Sequence, residues 1–349
     1  MSEKKDSNLE ETFALAMQNH KKKNFKAAEN LYEEILRKNP NYINAYNNLG
    51  ILFNQLGEYK KSINCYEKII QIQPNNAAAH NNLGFVLNQL DELEKAMKCF
   101  EKAIQIEPNY ADAFYNLGNI HKQLRNYQNA INYYKKTIAI NSNYVGAYNS
   151  LGTLLNQLGE YKKSMNCYEK AIQIQPNNAN TYNNLGNLNK ELGEHQKAIN
   201  FYERAIQINP NHTVAYNNLG STFKELGEHQ KAINCYEKII QIDPNNLTSH
   251  WLSMNIFPVI YEDLNEIEHY RKRFENCIKK INKLIDTQTT LTKKELINAI
   301  ESSTNFFLHY QGKDDLELQK RYANLIEKIT KKIYKEFDFK KKKILHQII

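Results

Sequence analysis

Cysteine and histidine are the side chains with which a protein most readily holds a metal or builds a nucleophile, and this 349-residue sequence has 5 of the first and 10 of the second. Their spacing points elsewhere. Cys65, Cys99, Cys167 and Cys235 fall at one recurring position, which Tyr133 and Phe201 occupy in other copies. Equivalent sites in stacked helical hairpins stand roughly 10 Å apart, beyond the reach of a disulfide, so a thiol that alternates with aromatic rings reads as a packing residue. His195 and His229 share a position with Tyr59, Tyr127 and Tyr161, and His80 stands where other copies have an aromatic ring. No CxxC, HExxH or serine-histidine-acid pattern occurs. Catalytic residues, metal ligands and cofactor-binding residues are therefore not expected.

The other candidate chemistry is that of the amide. The stretch AYNNLG at 45–50 returns at 215–220, and it sets asparagine, a poor helix former, in what otherwise reads as a helix. Two residues before a recurring glycine stand Asn48, Asn82, Asn116, Ser150, Asn184 and Asn218. A side-chain amide can donate to a peptide carbonyl and accept from a peptide N–H at once. Rungs roughly 10 Å apart match about three residues of extended peptide at some 3.3 Å each, so a ladder of amides could hold an unstructured chain by its backbone. The same side chains could instead link neighbouring copies or meet water. Recurrence alone does not separate these readings, because every residue of a repeat recurs.

The elements that must position these amides follow from the period. Gly50, Gly84, Gly118, Gly152, Gly186 and Gly220 are spaced by 34, as are Pro40, Pro74, Pro108, Pro176, Pro210 and Pro244, with Ser142 where one proline is missing. The period divides the chain into seven units, 9–42, 43–76, 77–110, 111–144, 145–178, 179–212 and 213–246. In the first half of a unit, residues such as Tyr46, Leu49 and Phe53 form a helical stripe, and in the second half Ile63, Tyr66, Ile69 and Ile70 form another. Gly57, Gly159, Gly193 and Gly227 stand in the turn between them, where a positive φ ends a helix. Each unit is predicted to be a helical hairpin. A proline-asparagine step such as Pro74-Asn75-Asn76 stops the second helix and supplies a cap for the next. Six glycines inside helices point to close approach by the partner helix, matched by small residues such as Ser62, Ala96 and Ala130. Ser142 and Gly146 mark the entrance to unit 145–178 as the place for a softer joint.

An aromatic, then leucine-glycine, a small residue in the second helix, an aromatic four further on and a closing proline together resemble the tetratricopeptide repeat over residues 9–246. The resemblance implies an all-α fold, a right-handed superhelical solenoid of hairpins, followed here by a small helical connector region. Unit 9–42 departs from it, with Thr12 and Ala16 in place of the aromatic and glycine, as suits a first repeat. In such a solenoid the first helices line the inner groove. AYNNLG and the block QLGEYKKSINCYEKIIQIQP are similar to the repeats of protein O-linked N-acetylglucosamine transferases, whose asparagine at this position grips the acceptor polypeptide. Carried over by position, Asn48, Asn82, Asn116, Asn184 and Asn218 are the expected polypeptide-binding residues. A carboxylate clamp would need lysine or arginine at Asn47, Asn81, Tyr115, Asn149, Asn183 and Asn217, where none stands. Lys122, Lys190 and Lys224 give scattered positive charge only.

From Leu247 the period fades. Residues 247–260 read as a degenerate capping helix, 261–338 as a helical connector, 339–349 as a basic tail, and 1–8 as a disordered N-terminus. Asp263 with Glu266 and Thr292 with Glu295 resemble helix-capping pairs, and Leu318, Tyr322, Leu325 and Ile329 form a third stripe. The stretches 258–274 and 303–329 resemble the connector that precedes the catalytic lobes in bacterial and SPINDLY-like members of that glycosyltransferase family. The family's catalytic histidine, nucleotide-binding lysine and glycine-bearing first strand have no matching positions.

The sequence is thus expected to be a polypeptide-binding solenoid, the recognition arm of such a transferase truncated before its lobes, or else a free-standing scaffold for protein-protein interaction. Extended polypeptide, and a separately encoded transferase lobe, are the expected partners. A composition of 41% apolar and 24% charged residues is that of a globular chain. No signal-like or membrane-length apolar run occurs, which places the expected protein in the cytoplasm and off the membrane. The formal charge of +8 is concentrated in the C-terminal third, where Lys340 to Lys343 form the densest run. Such a run is ordinarily solvated, and nucleic acid is not an expected partner.

Overall fold

The computed structural model describes residues 2–258, 261, 263–287, 291–301 and 315–334, with side chains from residue 9 onward. Among the described residues every regular element is a helix. Two compact units are present, Met1–Pro176 and Asn177–Ile349.

The first unit contains α1 (Ser2–Lys21) and α2 (Phe25–Lys38), α3 (Ile43–Gln55) and α4 (Tyr59–Ile72), α5 (Ala77–Gln89) and α6 (Leu93–Ile106), α7 (Ala111–Gln123) and α8 (Tyr127–Ile140), and α9 (Val145–Gln157) and α10 (Tyr161–Ile174). Each pair is a hairpin, and each hairpin packs on the next. Helix α1 runs back to Ser2, into the segment expected to be disordered. Glu3, Lys4 and Lys5 are good helix formers, and no glycine or proline interrupts them. The first helices α1 and α3, α5 and α7, and α7 and α9 also touch one another, which the second helices do not do to that extent. First helices therefore lie on the inner side of this unit's curve.

The second unit begins with two further hairpins, α11 (Ala179–Glu191) with α12 (His195–Ile208) and α13 (Thr213–Glu225) with α14 (His229–Ile242). It continues through α15 (Leu247–Met254), α16 (Leu264–Thr287), α17 (Lys293–Glu301) and α18 (Leu316–Ile333). One core runs from Ala198 and Tyr236 through Trp251 to Phe274, Ile281, Leu325 and Ile329. That shared core is why repeats 179–246 and the connector form one unit rather than parting at residue 246. Trp251 is fully buried at its centre, 5.7 Å from the ring of Tyr322. Arg273, half-buried, donates to the carbonyls of Ser253 and Ile256 and so ties the end of α15 to α16. Arg271 and Asp315 form an ion pair between α16 and the start of α18. Thr292 and Glu295 make the reciprocal capping pair, 2.7 Å and 3.2 Å between side chain and backbone. The stretch 302–314, which contains NFFLHY, and the basic run at 340–343 lie outside the described residues.

The glycines on the 34-residue period open a notch for an aromatic ring of the second helix. A methyl group at Gly50 would stand 2.8 Å from Tyr66, at Gly118 2.7 Å from Tyr134, and at Gly186 2.4 Å from Tyr202. The small residue across the hairpin finishes the contact: Ser62 donates to the carbonyl of Gly50, and Ser164 to that of Gly152, each at 2.8 Å. In the hairpin turns Gly57, Gly159, Gly193 and Gly227 take φ between +73° and +76°. Lys23, Asp91 and Arg125 adopt the same left-handed conformation without being glycine.

Around Ser142 and Gly146 the side chains make several contacts. Asn141 accepts from the backbone N–H of Asn143 at 3.0 Å, Tyr144 donates to Asp112 at 2.7 Å, and the Tyr115 and Tyr144 rings pack 5.1 Å apart beside Gly146. The bond from Asn143 to Asn141 has the same form as those beside Pro40, Pro210 and Pro244.

Candidate functional site

The candidate site is the face of the first helices that carries the asparagines. Asn48, Asn82, Asn116, Asn184 and Asn218 are all half-buried. Three of the five reach back to the preceding repeat. Asn82 Nδ2 donates to Asn47 Oδ1 at 3.1 Å, Asn116 to Asn81 at 3.0 Å, and Asn218 to Asn183 at 2.9 Å. Where the sequence has Tyr115 and Ser150 in place of two amides, their hydroxyls meet at 3.2 Å. The rule is one of register: the residue two before a glycine bonds the residue three before the previous one. Asn48 has no such bond, since Phe13 holds the accepting position one repeat before it.

The linking role and the open role of these amides are compatible. An amide carries two N–H donors and an oxygen with two lone pairs, so a side chain that spends one N–H on its neighbour keeps the other and its oxygen. What the bond removes is rotational freedom. The sequence reading misses the accepting residues Asn47, Asn81 and Asn183. Their signal was a donor and acceptor 35 residues apart, one more than the period.

One position further along, the face changes character from repeat to repeat. The residue after the glycine is Ile51 in α3, Phe85 in α5, Asn119 in α7, Thr153 in α9, Asn187 in α11 and Ser221 in α13. In α7, α9 and α11 the ring that fills the glycine notch finds this residue: Tyr134 donates to Asn119 at 2.9 Å, Tyr168 to Thr153 at 3.1 Å, and Tyr202 to Asn187 at 2.8 Å. Asn187 also accepts from Asn218 at 2.9 Å, which joins notch and ladder in α11 and α13.

Charge on this face is sparse. Lys190 pairs with Glu225 at 2.7 Å and donates to Ser221 at 3.0 Å. Burial holds the ammonium groups of Lys122 and Lys224 below the usual lysine value, because a half-desolvated cation favours its neutral form.

The thiols and imidazoles serve packing and capping. Burial pushes Cys65 and Cys235 up to about 12 and Cys167 to about 11, so none supplies a thiolate near neutral pH. His80 Nε2 donates to the carbonyl of Pro74 and His250 Nε2 to that of Pro244, each at 3.0 Å. His212 caps α13: its Nδ1 accepts from the backbone N–H of Ala215 at 3.1 Å, and its Nε2 donates to Asn180 at 3.0 Å. Asn76, Asn178 and Asn246 cap α5, α11 and α15 as the proline-asparagine steps predict, at 2.9 Å, 3.0 Å and 2.9 Å. Among the described residues no three histidine, cysteine or acidic side chains gather as a metal site. No described helix is long and apolar enough to cross a membrane.

Comparison with known proteins bears on the repeats. Family models described as TPR repeat match residues 50–91, 86–125 and 152–193, and models described as tetratricopeptide repeat match 31–64, 111–144, 179–212 and 213–246. Among solved structures, a tetratricopeptide repeat protein from Parabacteroides merdae is 20% identical, covers 71% of this chain and 98% of its own, and has a TM-score of 0.57. The pilF protein of Pseudomonas aeruginosa is 22% identical over 60% of this chain and 96% of its own, with a TM-score of 0.52. The Cut9-Hcn1 hetero-tetramer of the APC/C is 15% identical over 83% of this chain and 53% of its own, with a TM-score of 0.56. At these identities the likeness is one of fold. A comparison with curated proteins gives no match.

Proposed function

The chain is a tetratricopeptide repeat protein, and from that premise we propose that it binds an extended stretch of polypeptide along the face formed by its first helices. Stacked helical hairpins present such faces for protein-protein interaction. The observation that carries the reading is the amide row. Asn82 and Asn116 are oriented by the preceding repeat and keep an N–H and an oxygen for a peptide backbone, Asn218 spends both N–H groups and keeps its oxygen, and Asn48 keeps its full bonding capacity. An oriented amide loses less conformational freedom on binding than a free one, which favours affinity.

The test is fluorescence anisotropy with a reduced and alkylated model protein as the extended probe. Replacing Asn48 by alanine should leave the circular dichroism unchanged and weaken binding. Replacing all five asparagines should abolish it. Unchanged affinity in a folded five-site variant would remove the amides from the site.

A finer reading rests on the resemblance of 258–274 and 303–329 to the connector of O-linked N-acetylglucosamine transferases. It makes this chain the recognition arm for a separately encoded transferase lobe. On that reading the chain alone transfers no sugar from a nucleotide-sugar donor, and it co-purifies with a glycosyltransferase. Partners captured through residues 9–246 with no transferase among them would favour a free-standing scaffold.

A further inference from the structure

Helix α8 departs from the other second helices in its charged and amide residues. Where α4, α6, α10, α12 and α14 have Glu67, Glu101, Glu169, Glu203 and Glu237, α8 has Lys135, and it contains no acidic residue. In α4, α6 and α10 the helix opens on an ion pair, Glu58 with Lys61, Glu92 with Lys95 and Glu160 with Lys163, where α8 has Asn126 and Asn129. A lysine further along is tied down in the same three helices: Lys68, Lys102 and Lys170 each donate to a glutamine three residues on, at 2.9 to 3.0 Å. In α8 that glutamine is Ala139, and the ammonium of Lys136 lies 5.4 Å from the centre of the Phe114 ring instead. Ala130 and Tyr134 meanwhile keep the small residue and the ring that build the hairpin, both fully buried.

These departures meet at a cavity of about 460 Å³ lined by Asn129, Asn132, Tyr133, Lys135 and Lys136. Its polar groups are set to donate. Gln128 donates to the oxygen of Asn132 at 3.2 Å, so that amide presents its N–H groups. Among the described residues neither lysine has an ion pair, and neither the Asn129 amide nor the Tyr133 hydroxyl has a hydrogen bond. Both lysines are exposed, so a ligand can reach them. We propose that this cavity is an anion site whose ligand is a phosphate monoester. At neutral pH such a group carries about −1.5 to −2 charge and three strong acceptor oxygens, the complement of two ammonium groups, two amides and a phenol. Lysine meets it as a compact point charge. Glu101 of α6 acts on Tyr133 from the preceding repeat. A carboxylate ligand, with half the charge, would gain less from the lysines, so the dianion is favoured. The volume falls within the range of small-molecule pockets, roughly 300–1,000 Å³, which calls for a phosphate carried on a larger body. The site lies on a second helix and stands apart from the polypeptide-binding face.

The experiment titrates the full chain by calorimetry with phenyl phosphate, with a phosphoserine peptide of glycine and serine, and with the same peptide unphosphorylated. The phosphorylated peptide is expected to bind about tenfold or more tightly than its unphosphorylated copy, and the preference should shrink as salt is raised. Phenyl phosphate binding as well as the phosphopeptide would assign the site to small phosphorylated molecules. A phosphopeptide tighter than phenyl phosphate by about tenfold would assign it to modified polypeptide, and either result upholds the anion site. Lys135→Glu restores the residue that α4, α6, α10, α12 and α14 carry. Its circular dichroism should match that of the parent chain, and it should bring the phosphopeptide to the affinity of the unphosphorylated copy. Ala139→Gln, which supplies the tether for Lys136, should weaken phosphopeptide binding by a smaller factor. Lys68→Glu in α4 changes the charge of the chain by the same amount and should leave both affinities unchanged. Equal affinity for the two peptides, or an equal loss in the Lys68 and Lys135 variants, would overturn the proposal and reduce the cavity to a solvated face.

Discussion

In α3 and α5 the residue after the glycine is Ile51 or Phe85, the next turn offers Asn54-Gln55 or Asn88-Gln89, and neither helix carries a charge. In α11 and α13 the same positions hold Asn187 or Ser221, then Lys190-Glu191 or Lys224-Glu225. The two residues before those positions are alike: Leu49 and Leu83 correspond to Leu185 and Leu219, and a glycine follows each. The leucine and glycine that meet the second helix are thus the same in these four helices, and the residue after the glycine is where they diverge. The difference separates the part of the repeat that builds the hairpin from the part that is free to vary.

The largest expected effect tests the constant part. Gly118→Ala and Gly186→Ala place a methyl 2.7 Å and 2.4 Å from the rings of Tyr134 and Tyr202. Neither ring can give way readily, since both are fully buried and their hydroxyls are fixed by Asn119 and Asn187. Each substitution should cost about 1 to 3 kcal/mol, read as a lower melting temperature, and do so alike in the two units. Gly220→Ala meets nothing closer than 3.1 Å. There the better helix propensity of alanine, about 1 kcal/mol, should offset most of the strain. A Gly220 variant as unstable as the Gly186 variant would show that the ring notch is not what the glycine is for.

The ladder comes next. Asn218→Ala removes a donor and leaves the oxygen of Asn183, a buried side chain, unsatisfied, at a cost of about 1 to 3 kcal/mol. Asn48→Ala breaks no bond and should be neutral or stabilising by up to roughly 0.7 kcal/mol. Urea denaturation of the two variants decides it. Equal costs would mean that the linking bond adds nothing.

That pair also shows how far the sequence could be read. The 34-residue step of leucine, glycine and ring fixed hairpins, turns and caps, because each is a local demand that a single residue type meets. Asn48 and Asn82 are the same letter in the same context, yet only one is bonded, because the difference lies in Phe13 and Asn47 a repeat earlier. The left-handed turns at Lys23, Asp91 and Arg125 carried no glycine to announce them. The fusion of α15 to α18 with the last two repeats depends on where Trp251 and Arg273 point, and no period records that.

The caps give a pH test. Helix α5 is capped by Asn76, which does not titrate, and α13 by His212, whose Nδ1 must be unprotonated to accept from Ala215. Burial holds the His212 imidazole below its usual 6.5 in the folded chain. The unfolded chain therefore takes up the proton first, and folding stability falls as pH drops from about 6.5 through the lower folded value. His121, His229 and His250 are shifted the same way by burial, so the readout is a difference. Between pH 8 and pH 5, His212→Asn should lose about 1 kcal/mol less than the parent chain, the usual worth of a cap. An identical loss in both would place the acid sensitivity in the other histidines.

The smallest effect concerns the hairpin turn, where the two units also part. Both turns of the second unit's repeats use glycine, Gly193 and Gly227, at φ +76° and +75°, whereas the first unit puts Lys23, Asp91 and Arg125 into the same conformation at φ +61°, +61° and +59°. A side chain in the left-handed region costs roughly 1 to 2 kcal/mol, and glycine returns part of that through its greater freedom in the unfolded chain. Arg125→Gly should therefore gain about 0.5 to 1 kcal/mol, seen as a small rise in melting temperature. Asp91→Gly should gain less, because Asp91 accepts from Gln123 at 3.0 Å and that bond across repeats would be lost. A gain at Asp91 equal to that at Arg125 would mean the bond is worth nothing in water, and the first unit's non-glycine turns would then be strain with no return.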